Sequence, residues 1–275
     1  MSTNDRYAVV GNPIAHSKSP LLQMAFAKQT GQAITYTTIC APENEFITTA
    51  NEFFHSGGKG LNVTVPFKQD AYDYAQQLTL RAQRAGAVNT LWCDQQGIIH
   101  GDTTDGVGLV TDIQQRLGWL ITGKQILIIG AGGAVRGVLE PLLAERPAAI
   151  TIVNRTVAKA QQLTDVFVDL FPITACGYDQ LKGQAYDLII NGTSASLSGD
   201  LPPLPEGVVT AQSYCYDMMY SQQLTPFLQW AQQQGANNLS DGLGMLVSQG
   251  AESFFIWRGF RPEVLPVIAK MRAAL

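Results

Sequence analysis

Residues 126–137 read ILIIGAGGAVRG. Ile126, Leu127, Ile128 and Ile129 form a short apolar run of the kind found in a strand buried on both faces. A glycine turn breaks the run and a helical pattern follows. Gly130 and Gly132 lack the Cβ atoms that would hold a phosphate away from the backbone. The helix that follows aims its free N–H groups and positive dipole end back at the turn. Strand, glycine turn and helix in this order make an anion cradle for a dinucleotide pyrophosphate. The competing reading is a tight strand-to-helix turn with no ligand, and the flanking strand and helix weigh against it. Val135 stands where the fingerprint has its third glycine or alanine.

Downstream of the turn the chain keeps alternating strand-like and helical stretches over residues 107–242, as a doubly wound parallel sheet does. Strands are expected at 126–129, 150–153, 186–190 and 213–220, with a short one near 238–240. Pro141 is expected to bend the helix over 134–143. At the end of the second strand, where an NAD site carries an acid for the ribose hydroxyl, the sequence reads Asn154-Arg155-Thr156, with Lys159 beyond. No carboxylate is present. Arg155 and Lys159 place positive charge where a 2′-phosphate would sit, and the arginine fork matches phosphate geometry. This predicts NADP rather than NAD.

Upstream, residues 7–10 and 34–39 read as strands and residues 21–29 and 43–55 as helices. Ser17 and Ser19 flank Lys18 just before a helix start at Pro20. Capping is the ordinary reading of such serines, and a carboxylate-binding loop is the sharper one. In LNVTVPFK, residues 61–68, Val63 and Val65 alternate with Asn62 and Thr64, so a strand would turn the valines one way and the polar pair the other. Pro66 suits a first helical turn, which puts Lys68 near Asn62 and Thr64 at the strand's C-terminal end. Ligands bind at that edge of an open α/β sheet. A lysine in a first turn opposes the helix dipole, which itself asks for an electrostatic reason. Asn89 is expected just inside a strand. Asp105 lies in GDTTDGVG, residues 101–108, where an aspartate is ordinarily a turn or cap residue, and helical spacing begins immediately afterwards.

The tail carries DGLGMLVSQ at 241–249 within a helix, with Met245 and Gln249 sharing a face, and a second helix over 262–275. This tail is expected to return to the front of the chain and cover its sheet. The resulting division is 1–106 plus 243–275 as one domain and 107–242 as the other.

The formal net charge of −4 is spread without basic clusters, so neither nucleic acid nor an anionic membrane is an expected partner. No apolar run reaches the ~18 residues of a membrane span, and no secretory leader is read at the start. Cys40, Cys93, Cys176 and Cys215 lack the spacing of a metal knuckle or redox pair. They read as free thiols of a cytoplasmic protein, and no metal is expected. His16, His55 and His100 have no polar partners in sequence that would make them catalytic.

The pieces together resemble the shikimate dehydrogenase family over essentially the whole chain. The motifs carrying the resemblance are SKSP (17–20), LNVTVPFK (61–68), GAVNT (86–90), GDTTDGVG (101–108), GAGGAVRG (130–137), NRT (154–156), NGTS (191–194), YDMMY (216–220) and DGLGMLVSQ (241–249). Four positions depart from the usual pattern. Thr103 replaces asparagine, Gly192 stands where alanine is common, Val135 replaces a small residue, and Lys159 replaces arginine.

The resemblance implies an α/β protein of two domains. One is a substrate domain with a mostly parallel sheet, and the other is a Rossmann-like NADP domain. It implies reversible reduction of 3-dehydroshikimate to shikimate with NADPH, on a small-molecule substrate, by a monomer or homodimer. It also implies that Ser17, Ser19 and Tyr220 hold the substrate carboxylate, while Asn62, Thr64, Asn89 and Gln249 bind its hydroxyls. Lys68 and Asp105 would be the catalytic pair. Gly130, Ala131, Gly132, Gly133, Ala134, Asn154, Arg155, Thr156 and Lys159 would bind the cofactor, with Thr193, Met218 and Gly242 at its nicotinamide. Asp105 favours the charged form of Lys68 while a helix N-terminus and burial oppose it, so the proton transfer is assigned to the pair. The alternatives are a quinate/shikimate dehydrogenase of broader range and, in another class, a non-catalytic binding homologue. Arg155 argues against the first and the intact Lys68 and Asp105 against the second.

Overall fold

In the computed structural model, residues 4–193, 195 and 199–275 are described. Ser194, the last residue of the NGTS motif, and the polar residues at the very start lie outside them. The chain runs β1 (Asp5–Gly11), α1 (Ser19–Thr30), β2 (Ile34–Cys40), α2 (Phe46–His55), β3 (Gly58–Val63), α3 (Lys68–Tyr74), β4 (Gln77–Leu78), α4 (Leu80–Ala85), β5 (Thr90–Cys93), β6 (Ile99–Asp102) and α5 (Asp105–Thr111). A π-helical turn, Asp112–Arg116, follows α5 directly. Then come β7 (Gln125–Ile129), α6 (Gly133–Ala144), β8 (Ala149–Val153), α7 (Val157–Asp165), β9 (Ile173–Cys176), β10 (Leu188–Asn191), β11 (Tyr214–Asp217), α8 (Pro226–Gln233), β12 (Asn238–Asp241), α9 (Leu243–Arg258) and α10 (Leu265–Arg272). Among the described residues, no helix is long and apolar enough to cross a membrane.

Two compact units result: the chain up to Gly108 with Val247–Met271, and Leu109–Leu246 with Arg272–Leu275. Arg272 goes with the second because its guanidinium donates to the Ser221 carbonyl and to both carboxylate oxygens of Asp241.

The first unit holds a six-stranded sheet in the order β2-β1-β3-β5-β6-β4. β1 is parallel to β2 and β3, whereas β5 is antiparallel to both its neighbours. Successive β1 side chains alternate faces. Ala8 and Val10 pack with Phe46 and Phe53 of α2. On the other face Tyr7 stacks on Trp257 of α9, with ring centroids 4.8 Å apart, and Phe26 of α1 meets Phe254 edge-on. Trp257 also donates from Nε1 to the Leu91 carbonyl at 3.1 Å, which anchors the tail helix to the sheet.

The second unit holds a six-stranded, all-parallel sheet in the order β12-β11-β10-β7-β8-β9. The aliphatic run of β7 is now explained. Ile126 and Ile128 pack with Val135, Val138 and Leu142 of α6, while Leu127 and Ile129 face Phe227 and Leu228 of α8. Both faces of the strand are covered, so every position is apolar rather than every second one.

Two local expectations change. The strand in LNVTVPFK stops at Val63, and Val65 is 64% exposed rather than facing inward with it. The Thr64 N–H still bonds Val10, but the Phe67 N–H turns back onto the Thr64 carbonyl. Pro66 therefore lies ahead of α3, which begins at Lys68. Asn89 precedes β5 instead of lying inside it. The helix expected over 134–143 is α6, Gly133–Ala144, with Pro141 inside it, and β9 arises from a stretch with no clear strand signal.

Candidate active site

At the sheet end of the first unit, two helix starts face each other. Lys68 is the first residue of α3 and Asp105 the first of α5. Lys68 Nζ donates to Asp105 Oδ2 at 2.5 Å, with side chains 31% and 14% exposed. Neither group is deeply buried, so the pair can meet a substrate.

The second carboxylate oxygen of Asp105 is held by Asn89. Asn89 Nδ2 donates to Asp105 Oδ1 at 2.9 Å, to Thr104 Oγ1 at 3.0 Å and to Gln249 Oε1 at 3.4 Å. The orientation of this amide is fixed by chemistry. The Thr104 backbone N–H can only donate, and it meets Asn89 Oδ1 at 2.9 Å. The NH₂ end must then face Asp105. Thr90 Oγ1 adds a second donor to Oδ1 at 2.8 Å. Gln249 reaches this cluster because Gly108 lets α9 approach α5. A Cβ on Gly108 would lie 2.7 Å from the Gln249 nitrogen and Cβ.

Asn62, on β3, is more deeply committed than its place in the motif indicates. Its Oδ1 accepts from Tyr36 at 2.7 Å and from Gln23 at 3.4 Å. Its Nδ2 donates to Ser253 at 3.0 Å and to the Asn89 carbonyl at 3.3 Å. Tyr36 in turn is hydrogen-bonded with Ser19, and burial holds its phenol well above its usual pKa despite that bond. It stays a neutral donor. Ser17 accepts from the Ser19 N–H at 3.3 Å, a local turn bond, while the N-cap position of α1 is Lys18 and no side chain caps the helix. Ser19 and Asn62 are thus joined through Tyr36, and Asn62 connects through Ser253 and Thr90 to Asn89. Thr64 is half-buried beside Gly11. Reading the sequence alone missed Tyr36, Thr90, Thr104 and Ser253. Ser253 was within reach, because it lies four residues after Gln249 on the same helix face.

In the second unit the glycine turn has the conformation its sequence demands. Gly130 adopts φ +103°, which disfavours any side chain. A Cβ on Gly132 or Gly133 would meet nothing within 4 Å, so open space lies in front of the α6 N-terminus. Ala131 and Ala134 complete that first turn. These features fit a dinucleotide phosphate. At the end of β8, Asn154 Nδ2 donates to the Thr156 carbonyl at 2.8 Å and closes the loop that presents Arg155. Arg155 and Lys159 are both exposed. Arg155 partly offsets the burial that raises the Tyr178 phenol pKa, which puts its charge close to that ring.

The remaining cofactor candidates sit on adjacent strand ends. Thr193 donates to Asn191 Oδ1 at 2.8 Å, and Asn191 donates to Asp217 Oδ1 at 3.2 Å. Asp217 accepts from the Met219 N–H at 3.0 Å and from Thr225 at 2.6 Å. These two fully buried polar residues, Asn191 and Asp217, fix the loops that carry Thr193 and Met218. Gly242 packs directly on the Met218 backbone, with a Cβ there falling 2.1 Å from the Met218 oxygen. Tyr220 belongs to this unit too. Burial first, and the Asp241 charge second, raise its phenol pKa.

The family models and the curated relatives agree on one family. Residues 9–91 match the model of a shikimate dehydrogenase substrate binding domain, residues 112–198 that of shikimate/quinate 5-dehydrogenase, and residues 242–275 that of a shikimate 5′-dehydrogenase C-terminal domain. A shikimate dehydrogenase (NADP(+)) of Cellvibrio japonicus is 56% identical over 271 residues, covering 98% of each chain. The crystal structure of an Ael1 enzyme from Pseudomonas putida superposes with TM-score 0.93 at 43% identity, covering 97% of this chain and 98% of that one. Shikimate 5-dehydrogenase from Thermus thermophilus, solved with NADP(H) and shikimate, gives 0.87 at 30% identity over 98% of this chain and all of the other.

Proposed function

The chain belongs to the shikimate dehydrogenase family, and from that premise we propose how its residues divide the reaction. It is an NADP-dependent oxidoreductase that reversibly reduces 3-dehydroshikimate to shikimate in aromatic biosynthesis. The first unit holds the substrate and the second the cofactor. The Lys68–Asp105 contact, braced by Asn89, is the observation that carries the proposal.

NADPH, when bound, supplies a hydride to the carbonyl carbon. The oxygen then gains negative charge and needs a proton. Lys68 Nζ gives it, and Asp105 keeps the ammonium aimed while Asn89 keeps Asp105 from rotating. In the reverse direction the same pair takes the hydroxyl proton. Ser17, Ser19 and Tyr220 take the substrate carboxylate. Thr64 and Gln249 bind ring hydroxyls, together with Asn62 and Asn89, whose longest amide-donated bonds, 3.4 Å each, are the ones a hydroxyl can replace.

Gly130 through Ala134 cradle the diphosphate, and Thr193, Met218 and Gly242 line the nicotinamide. Asn154, Arg155, Thr156 and Lys159 surround the 2′-phosphate. Removing Arg155 as Arg155→Ala deletes a charge-assisted bond to that phosphate, a loss of about 10–100-fold in NADP affinity, with NAD affinity unchanged. Titration of both nucleotides checks this, and equal weakening of the two would sink the 2′-phosphate assignment. Shikimate and quinate, each assayed with NADP and NAD, test the whole reading; faster turnover of quinate than of shikimate would favour the broader enzyme. Four free cysteines accord with a cytoplasmic location. Sedimentation distinguishes monomer from homodimer.

A further inference from the structure

Val135 and Gly192 meet where α6 passes the end of β10. Val135 lies in the first turn of α6 and is fully buried. Gly192 immediately follows β10, its N–H bonded to the Ile129 carbonyl at 2.9 Å. A Cβ on Gly192 would lie 2.3 Å from Val135 Cγ2, 3.2 Å from Met218 Sδ and 3.5 Å from the Ile129 oxygen. The first distance is forbidden, the second is tight against a flexible thioether, and the third is ordinary contact. Gly192 is not among the residues with positive φ, so its backbone does not require glycine. One methyl group of Val135 does. That methyl cannot swing aside, because a β-branched side chain in a helix has essentially one χ1 rotamer.

The converse also holds. With glycine at 192, shrinking residue 135 would leave a void between α6 and the strand end. Bulk can come from the helix or from the strand end, but not from both. The neighbours make the choice matter. Thr193, the next residue, places its Cγ2 only 3.0 Å from where a Gly130 Cβ would be, and Met218 lies on the other side of Gly192. A shift at 192 therefore reaches the glycine turn and Met218 together.

We propose that Val135 and Gly192 are a coupled pair of positioning residues for the cofactor, setting the spacing between the diphosphate cradle and Met218. This rests on the assignment of the second unit to NADP. The test is a double-mutant cycle in the full chain, reading the NADPH dissociation constant by fluorescence titration, the KM for shikimate and the melting temperature. Gly192→Ala should weaken NADPH about tenfold or more through overpacking, while the shikimate KM stays within about twofold. Val135→Ala should cost only about two- to threefold, and the double variant should return to within about threefold of the parent. If Gly192→Ala does not fold, a soluble double variant with near-parental NADPH binding supports the pairing by rescue. A double variant no better than Gly192→Ala overturns it, as does Gly192→Ala binding NADPH like the parent. A parent protein that binds neither nucleotide would instead sink the cofactor assignment, and the pairing with it.

Discussion

Lys68→Ala lowers kcat by about 10²–10⁴-fold, the range that a positioned proton donor supplies. Shikimate affinity changes by a few-fold at most, because on the proposed assignment the ring hydroxyls keep Thr64, Asn89 and Gln249. NADPH affinity does not change, since no cofactor residue is touched. The split between kcat and binding identifies the chemical step as the one lost. It is measured by steady-state kinetics alongside direct titration of shikimate and NADPH. The geometry gives a second, graded expectation. Asp105→Asn keeps the shape of the side chain but removes the negative charge that faces Lys68 Nζ at 2.5 Å. Asn89 Nδ2, which donates to Asp105 Oδ1, would then meet an amide whose orientation is no longer dictated. Lys68 is thereby left mobile, and kcat falls. Near-normal turnover in Lys68→Ala would remove Lys68 from the reaction.

These residues show what a sequence can and cannot disclose. The second unit's sheet was legible from residues 126–137 because a strand covered on both faces must be apolar at every position, and no helix-period pattern competes with that. Lys68 and Asp105 were legible as residues but not as a pair. Thirty-seven positions separate them, and only folding brings the first turns of α3 and α5 together. The bracing shell was less visible still. Thr90, Thr104 and Ser253 are small hydroxyl residues that look alike in any helix or strand, and their value comes from the tertiary contacts they make. Asn191 and Asp217 lay inside quoted motifs, but their roles depend on loops whose paths the sequence does not encode locally. The early end of β3 at Val63 had a related cause. Alternation across Val63 and Val65 is a valid strand pattern, yet the Phe67 N–H turns back onto Thr64 and starts α3. A local turn from Thr64 to Phe67 overrode the alternation.

The other large effect is on stability, at Asp112. This residue opens the π-helical turn after α5, and its carboxylate is fully buried in the second unit. It accepts from Arg116 Nε and, at 2.8 Å, from Arg116 Nη2. It also accepts from the Tyr216 hydroxyl at 2.7 Å. Arg116 is further bonded to Ser240 at 2.8 Å. One carboxylate thus ties the π turn to β11 and, through Arg116, to β12. The Arg116 guanidinium is held strongly charged, chiefly by its bonds to Asp112. Burial raises the Tyr216 phenol well above its usual pKa, and the Asp112 charge adds to this. Tyr216 is therefore a neutral donor that needs an acceptor. Asp112→Ala strands that donor and a largely buried cation in one step. Breaking such a pair from one side costs about 3–5 kcal/mol, far above the median for surface ion pairs. Asp112→Asn should cost less, because its amide oxygen can still accept from Tyr216 and Arg116 Nη2, although the charge is lost and the NH₂ then faces the Arg116 Nε–H. Urea unfolding followed by tryptophan fluorescence checks the order, since Trp119 stacks on Tyr214 in the same unit. If the alanine variant were as stable as the asparagine one, the acceptor that Asp112 gives Tyr216 would carry none of the stability, and the packing of the π turn would have to hold β11 in place. The position of Met218, one residue past β11, depends on the same anchor, so the alanine variant should also weaken NADPH binding at temperatures where it remains folded.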